Sequence, residues 1–152
     1  MKITYRPARP QDFDFLYQLH RDTMKVYVVE TWGEWKEEWQ LERFREGYAP
    51  SLLRVIQWEG QDVGVLQIQE RAEEIFLVNL QVLPGFQNRG IGTRVIRELV
   101  EQSARQGKPV ALQVLKVNLA ARALYQRLGF GITGENATHY ILANEKKAKM
   151  GG

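Results

Sequence analysis

Hydrophobic and polar positions along the chain follow two periods, and the changes between them predict where strands and helices lie. Alternating positions and short apolar runs bounded by turn residues predict strands, whereas apolar positions three and four residues apart predict amphipathic helices. Gly33 separates two helical segments, and residues 59–62 give a hairpin pattern between two strands. The first half of the chain is therefore predicted to form a strand at 3–8, helices at 12–29 and 34–45, and strands at 51–58 and 63–69.

The middle of the chain predicts a strand, a glycine-rich loop and a helix. Residues 75–83 are apolar and rich in β-branched side chains, and Pro84-Gly85 follows them as a turn. A further apolar strand at 110–117 completes a strand–helix–strand unit, which predicts a right-handed crossover between parallel strands. The helix has charged residues on one side and an apolar stripe on the other, made of Ile91, Val95, Ile96, Leu99, Val100 and Ala104.

The last part of the chain predicts a short helix and a closing hairpin. Asn118 suits the N-cap of the helix, and Gly129 suits the left-handed position that follows it. Residues 131–134 and 138–142 predict the hairpin strands. The order of elements predicts an α/β (α+β) fold in one domain over residues 1–144. Its sheet is expected to be mixed but mostly antiparallel, with about seven strands flanked by helices and a central parallel pair.

Composition narrows the class of protein. With 152 residues, 44% hydrophobic and 26% charged, the chain resembles an ordinary globular domain, and residues 145–152 are predicted to be a disordered tail. The absence of cysteine excludes disulfides, thiolate nucleophiles and cysteine metal sites. His20 and His139 show no local metal-binding spacing, so no metal is expected. Because no signal peptide or membrane span is apparent, a cytoplasmic protein without a membrane partner is expected.

Charge is distributed unevenly along the chain. The net charge of +3 is too small to predict a nucleic-acid partner. Residues 11–46 carry nine acidic and five basic side chains, whereas residues 84–108 carry five basic and two acidic ones. An acidic front part and a basic middle part suit a cationic substrate that meets an anionic cofactor. The alternative is that both sets of charges are solvated helix faces.

The loop between the middle strand and its helix has the features of an anion-binding site. The first turn of a helix has backbone N–H groups without intrahelical partners, and the helix dipole favours negative charge there. Gly90 and Gly92 allow a phosphate to approach the backbone, and Arg89 and Arg94 add positive charge. A P-loop would require a lysine and a dinucleotide fingerprint would require a third glycine, and the loop lacks both.

Two segments together resemble the GNAT family of N-acetyltransferases. The sequence QNRGIG of residues 87–92 fits the family signature Gln/Arg-x-x-Gly-x-Gly/Ala. The sequence NLAARALYQRLGF of residues 118–130 is similar to the second motif of the family. The first motif alone would also suit a glycine-rich turn without a ligand. The strand before it, the helix after it and the second motif favour the resemblance.

The resemblance implies a GNAT fold in which the central parallel pair of strands forms a cleft for acetyl-CoA. The backbone near Leu80 and Val82 would pair with the pantetheine amides, and Asn118 would hydrogen-bond the pantetheine arm. Tyr125 would face the thioester sulfur and act as the general acid. The pyrophosphate would be held by the backbone N–H groups of the loop, namely those of Gln87, Asn88, Arg89, Gly90, Ile91, Gly92 and Thr93.

The resemblance also implies direct transfer of an acetyl group from acetyl-CoA to a primary amine in a ternary complex. No Ser/His/Asp or Cys/His set is evident, which agrees with a reaction without an acyl-enzyme. Glu30 and Glu34 are candidates for the general base or for acceptor binding, because the front helices shape the acceptor pocket in this family. The base itself stays open, with Glu73, Glu74 and His139 as alternatives.

Three tryptophans, Trp32, Trp35 and Trp39, lie beside these carboxylates. Such a cluster suits a pocket for a cationic amine, but aromatic side chains also pack helices onto sheets. Packing is predicted for Trp39 and Phe44, and both roles stay open for the other two tryptophans. The alternative function is a non-catalytic acyl-CoA-binding regulatory or interaction module. The sequence leaves the acceptor amine and a homodimer as open questions.

Overall fold

The computed structural model describes residues 2–144, and the predicted tail at 145–152 lies outside the described residues. Short 3-10 turns at Pro10–Asp12, Pro50–Leu52 and Pro84–Phe86 precede three of the regular elements. The strands are β1 (Ile3–Pro7), β2 (Arg54–Trp58), β3 (Gln61–Glu70), β4 (Ile75–Val82), β5 (Val110–Leu115), β6 (Phe130–Glu135) and β7 (His139–Asn144). The helices are α1 (Phe13–Trp32), α2 (Glu37–Glu46), α3 (Ile91–Arg105) and α4 (Leu119–Arg127).

The strands form a seven-stranded sheet in the order β1-β2-β3-β4-β5-β7-β6. The pairs β1–β2, β2–β3, β5–β7 and β7–β6 are antiparallel. The pair β4–β5 is parallel, with Ile75 opposite Val110 and Leu77 opposite Leu112. The predicted mixed, mostly antiparallel sheet flanked by helices, with a parallel pair at its centre, is confirmed.

The chain divides into two units, each made of discontinuous segments. The first unit takes in residues up to Gln67 together with Asn79–Ile91. Its core joins α1 to the first strands, because Leu16 and Leu19 of the helix pack with Val55 and Val65 of β2 and β3. Burial of each of these side chains contributes about 1.5–3 kcal/mol, so this apolar face is what fixes α1.

A salt-bridge cluster around Arg6 joins β1, the first 3-10 turn and β3. The guanidinium donates to both carboxylate oxygens of Asp12, at 2.9 and 3.0 Å, and to Asp62 Oδ2 at 2.8 Å. Gln57 Nε2 also donates to Asp62, at 2.9 Å. Hydrogen bonds from Arg6 hold the pKa of both carboxyl groups below the ordinary range for aspartate. The cluster therefore connects elements that are up to 56 residues apart.

The close approach of β3 and β4 depends on Gly64. A Cβ atom at this position would lie 2.4 Å from the backbone carbonyl oxygen of Gln81 and 3.3 Å from Ile56 Cδ1. The neighbouring Val63 carbonyl accepts a hydrogen bond from the N–H of Leu83 at 2.8 Å. Since the obstacle is backbone, no side chain fits here without movement of β4.

The second unit takes in Ile68–Val78 and the residues from Gly92 onward. Its helix α3 buries Val95, Ile96 and Leu99, as the apolar stripe predicts. The predicted stripe is wrong for the last turn of the helix, where Ala104 is exposed and Ser103 is buried instead. The hydroxyl of Ser103 donates to the carbonyl oxygen of Val100 at 2.9 Å, so the helix itself satisfies the buried polar group.

Several predicted boundaries shift by a few residues. The helix α1 continues to Trp32 and ends at Gly33, whose φ of 94° closes it in the left-handed conformation. The helix α2 begins only at Glu37, because Lys36 before it is extended. The strand β2 begins at Arg54 rather than 51, since Pro50 opens a 3-10 turn. None of the helices within residues 2–144 is long and apolar enough to cross a membrane.

Candidate functional site

The glycine-rich loop is held back against the end of β4. The side-chain amide of Gln87 donates to the carbonyl oxygen of Val82 at 2.9 Å. Asn88 and Gly90 both adopt left-handed conformations, with φ of 62° and 84°. Asparagine tolerates this region better than most residues, and glycine adopts it without strain. These two left-handed residues turn the chain toward Ile91, which is buried and begins α3.

The two glycines of the motif have different surroundings. A Cβ atom at Gly90 would meet no heavy atom within 4 Å among the described residues, so only its positive φ requires glycine. A Cβ atom at Gly92 would lie 3.8 Å from Leu124 Cδ2, which is ordinary van der Waals contact. The second unit therefore brings the first turn of α3 next to α4, the helix that carries the second motif.

The two arginines near the loop also differ. The guanidinium of Arg89 lies over two aromatic rings, 5.3 Å from the centroid of Trp58 and 5.2 Å from that of Phe86. These rings are themselves packed edge to face at 5.6 Å. Arg94 instead donates to Glu98 at 3.2 Å. Cation–π contacts hold Arg89 in place without neutralising its charge, so it is the better candidate to face an anion.

The second motif forms a well-capped helix. The side chain of Asn118 accepts a hydrogen bond from the N–H of Ala121 at 3.1 Å, and Gly129 has a φ of 98°. Both predicted capping roles are confirmed. Tyr125 is buried, packs edge to face on Phe130 at 5.7 Å, and has its pKa raised to about 12 by burial. Its phenol therefore keeps its proton at neutral pH.

The predicted carboxylates of the front helices lie at the surface. Glu30 and Glu34 are both exposed, and Glu34 pairs loosely with Lys36 at 3.8 Å. Glu73 is exposed as well, and Glu74 is ion-paired with Arg71 at 2.8 Å. The role of all four carboxylates stays a prediction.

A carboxylate that the sequence did not single out, Glu37, forms the most connected cluster of the front helices. It accepts hydrogen bonds from the Tyr17 hydroxyl, from Arg21 at 3.1 Å and from Trp35 Nε1 at 3.2 Å. The bond from Tyr17 is the main cause that lowers the pKa of Glu37. With three donors on one carboxylate, Glu37 is a structural acceptor that ties α2 to α1.

The aromatic residues of the front helices divide into packed and exposed ones. Phe44 packs against Phe13 and Tyr17 at 5.5 and 5.3 Å, as predicted. The packing prediction is wrong for Trp39, which is 53% exposed and has its ring under the guanidinium of Arg43 at 4.9 Å. Trp32 is also exposed. Trp39 and Phe44 are five residues apart on α2, which places them about 140° apart around the helix axis, so both cannot face the packed side.

A second feature that the sequence did not predict is a contact between His20 and Gln81. His20 Nδ1 lies 3.3 Å from Nε2 of Gln81, a buried side chain on β4. The imidazole ring packs against Trp35 and Phe44 at 5.8 and 5.4 Å. Burial lowers the pKa of His20. Within residues 2–144, no group of three or more His, Asp or Glu side chains is placed to hold a metal ion.

The sequence matches the Acetyltransferase (GNAT) family over residues 13–130. It is 26% identical over 140 residues to an uncharacterised N-acetyltransferase of Methanocaldococcus jannaschii, covering 84% of this chain and 60% of that protein. It is 39% identical over 72 residues to the ribosomal protein bS18-alanine N-acetyltransferase of Salmonella typhimurium, covering 47% of this chain and 49% of that protein. The chain thus spans about half of the length of these relatives.

Solved structures show the same fold. The PaiA N-acetyltransferase of Thermoplasma acidophilum, solved with coenzyme A, has a TM-score of 0.76 at 19% identity, covering 95% of this chain and 99% of that one. The ribosomal-protein-S18-alanine N-acetyltransferase of Escherichia coli has a TM-score of 0.66 at 19% identity, covering 97% and 96%. The family match covers both motifs and most of the sheet. The chain belongs to the GNAT family of acetyltransferases.

Proposed function

We propose that this chain transfers an acetyl group from acetyl-CoA to a primary amine by direct attack in a ternary complex. The observation that carries the proposal is the loop at 87–90, where two left-handed residues lead into the N-terminus of α3 beside the stacked Arg89. Backbone N–H groups at a helix start, with an adjacent guanidinium, suit the pyrophosphate of coenzyme A. Several proteins of the same fold are solved with coenzyme A or a bisubstrate analogue.

Both motifs contribute to cofactor binding in this proposal. The backbone near Leu80 and Val82 pairs with the pantetheine amides, and Asn118 binds the pantetheine arm. The residues that hold the pyrophosphate through their backbone are Gln87, Asn88, Arg89, Gly90, Ile91, Gly92 and Thr93.

The reaction requires one bond to form and one to break. The lone pair of the neutral amine attacks the thioester carbonyl carbon, the C–N bond forms, and the C–S bond breaks as the tetrahedral intermediate collapses. The departing thiolate takes a proton from the Tyr125 phenol. The phenol keeps its proton at neutral pH, as a general acid must before the thiolate departs, although burial raises the pKa of Tyr125 to about 12 and so makes it a weaker acid than an exposed tyrosine.

The acceptor is proposed to be a cationic amine that approaches the acidic front helices. Glu30 and Glu34 are exposed near the end of α1 and just after it, and Trp32 lies exposed between them in the sequence. Carboxylates attract an ammonium group, and an aromatic face adds a cation–π contact. The bS18-alanine N-acetyltransferases among the relatives make a peptide N-terminus one acceptor to include in a screen.

Thermal unfolding in the presence of acetyl-CoA tests cofactor binding. Ligand at about 100 times its dissociation constant should stabilise the chain by about 2.7 kcal/mol. Gly90→Ala should remove most of this gain, because the methyl group strains a backbone that must hold the left-handed conformation. Gly60→Ala is the matched control, since Gly60 has the same kind of φ, 83°, and equally open surroundings, but lies in the β2–β3 hairpin.

Release of the coenzyme A thiol tests catalysis. The screen should contain spermidine, a peptide that begins with alanine, and an Nα-acetylated peptide with one lysine. Thiol release that depends on one of these amines supports the proposal. Binding of acetyl-CoA without amine-dependent release would contradict it and leave an acyl-CoA-binding module.

A further inference from the structure

The contact between His20 and Gln81 joins a titratable ring to a defined position on β4. Gln81 is 8% exposed, and its amide nitrogen lies 3.3 Å from Nδ1 of His20. A buried side-chain amide requires a partner, since leaving one unpaired costs about 1–3 kcal/mol. The imidazole is therefore held to the strand, rather than only packed beside it.

The position of Gln81 on the strand places this contact beside the proposed path of the pantetheine arm. Gln81 stands between Leu80 and Val82, whose backbone is proposed to pair with the pantetheine arm. Side chains of successive residues in a strand point to opposite faces, so the Gln81 side chain leaves the strand on the face away from its two neighbours. The ring of His20 is thus anchored on β4 at the residue where the thioester arm is proposed to lie.

The surroundings keep the ring fixed and uncharged. Trp35 and Phe44 pack against it at 5.8 and 5.4 Å, and burial lowers the pKa of His20, so the imidazole is neutral at pH 7. Trp35, which packs on the ring, also donates to the Glu37 carboxylate, and Glu37 in turn accepts hydrogen bonds from Tyr17 and Arg21. These three titratable or charged groups are therefore bonded to one another.

We infer that His20 is the general base that removes a proton from the acceptor amine, with Gln81 as the residue that positions its ring. The inference rests on the proposed function and supplies the base that the sequence left open. An alkylammonium ion must lose a proton before its nitrogen can attack. Neutral His20 accepts that proton at Nε2 and becomes imidazolium.

Gln81 is a suitable partner for both forms of the ring. Its amide carries both N–H donors and a carbonyl acceptor. With the amide N–H at Nδ1, the neutral ring carries its proton on Nε2. When the amide turns about its last bond, its carbonyl oxygen accepts from Nδ1–H, and Nε2 is left unprotonated to take the proton of the amine; the same oxygen then accepts from imidazolium. As the intermediate collapses, Tyr125 protonates the thiolate, and the second proton of the amine replaces the one that the phenol has given up. One proton per turnover therefore leaves through His20 to solvent.

The experiment compares two nucleophiles at saturating acetyl-CoA: the best amine of the screen, and hydroxylamine, whose nitrogen is already neutral at pH 7. His20→Gln keeps a polar side chain of similar length but cannot titrate. It should lower kcat with the amine by about 10²–10⁴, and should leave the hydroxylamine reaction much less affected. It should also abolish the fall of kcat at acid pH.

Two further variants test the assignment. Gln81→Glu places a carboxylate beside the ring, which favours imidazolium, and should move the acid limb of the kcat profile upward by about 1–3 pH units. His139→Gln is the matched control, because His139 also has its pKa lowered by burial but lies on β7. It should leave the acid limb in place.

The possible results separate the two proposals. If the parent chain acetylates neither the amines nor hydroxylamine, the proposed function fails and the His20 assignment fails with it. If the parent is active and His20→Gln loses the same factor with both nucleophiles, only the His20 assignment is overturned. An acid limb that survives in His20→Gln, or disappears in His139→Gln, also overturns it. If His20→Gln does not fold, an acid limb that stays unmoved in Gln81→Glu overturns the assignment instead.

Discussion

At the scale of single residues, the Tyr125 phenol is the proton donor proposed for the departing thiolate. A phenol has an ordinary pKa of about 10, so it holds its proton at neutral pH; because it is a weaker acid than a thiol, whose pKa is about 8.5, the proposed transfer takes place only as the C–S bond breaks. Burial raises the pKa of Tyr125 to about 12, and its ring packs on Phe130. Tyr125→Phe keeps the ring and its packing and removes only the hydroxyl.

We therefore expect Tyr125→Phe to lower kcat by about 10²–10⁴, with little change in melting temperature or in acetyl-CoA affinity. Steady-state kinetics and thermal unfolding measure the two effects separately. A variant that melts several degrees lower with kcat intact would make Tyr125 a core residue and nothing more.

The side chain of Asn118 caps α4, and this role has to be separated from its proposed role in binding the pantetheine arm. Asn118→Ala should cost about 0.5–2 kcal/mol of stability through the lost cap. Asn118→Ser retains a capping oxygen but lacks the amide, so it should keep most of the stability and still weaken acetyl-CoA binding. Equal affinity for acetyl-CoA in the parent and in Asn118→Ser would restrict Asn118 to the cap.

Local chemistry made the structural roles of some residues predictable from the sequence, but not the roles of others. Gly33, Asn118 and Gly129 were predicted because a helix end demands particular backbone conformations and capping atoms within a few residues. The contact of His20 with Gln81 spans 61 residues and depends on how α1 packs on the sheet, which no local pattern encodes. The roles of the acetyl-CoA-binding residues stay predictions.

At the scale of elements, the contact of β3 with β4 depends on the missing side chain of Gly64. Gly64→Ala should destabilise the fold by about 1–3 kcal/mol, because the methyl group meets a backbone carbonyl that cannot rotate away. Gly131→Ala is the matched control, since it is also in a strand but has no heavy atom within 4 Å of its Cβ position in the described part of the chain. Denaturant unfolding of both variants checks the difference, and equal losses would refute it.

The Arg6 cluster should make stability depend on acid pH. The pKa values of Asp12 and Asp62 are lower in the folded chain than the ordinary value of about 3.9, so the unfolded chain binds protons first as the pH falls. Their contribution to stability is complete above about pH 5 and is lost as the pH falls through the lowered values.

Asp12→Asn should lower stability at pH 7 by about 1–3 kcal/mol and should flatten its decline between about pH 5 and 3. Unfolding measured at a series of pH values checks both effects. An unchanged slope in the variant would mean that Asp12 does not contribute to the acid sensitivity.

Element types were predictable, but their boundaries were less so. Hydrophobic periodicity predicted the order of strands and helices because each element buries one face. The start of α2 moved from 34 to Glu37, since Glu34 and Trp35 belong to the connection after Gly33. Ser103 took a buried position because its hydroxyl bonds to its own helix, an arrangement that a hydrophobic pattern cannot show.

At the scale of the whole molecule, the acidic front part of the chain suggests where a cation would approach. Glu30→Gln and Glu34→Gln should each raise the KM of a cationic acceptor more than that of acetyl-CoA. Glu59→Gln is the control, because Glu59 is also acidic and exposed but lies in the β2–β3 hairpin. Because exposed charges are screened by salt, the effect should shrink as ionic strength rises. Equal effects on both substrates would indicate a solvated face only.

The two units alternate along the sequence, and this affects how the chain folds during its synthesis. β3 and β4 each begin in one unit and end in the other, so neither unit is an uninterrupted stretch of sequence. As a ribosome extends the chain, α1, α2 and the first strands emerge while residues 79–91 of the same unit are still untranslated. The unfinished segment exposes apolar surface of the kind that chaperones bind. Synthesis that stops between residues 68 and 91 would therefore give a fragment without a complete first unit. Such a fragment would be degraded rather than partly active.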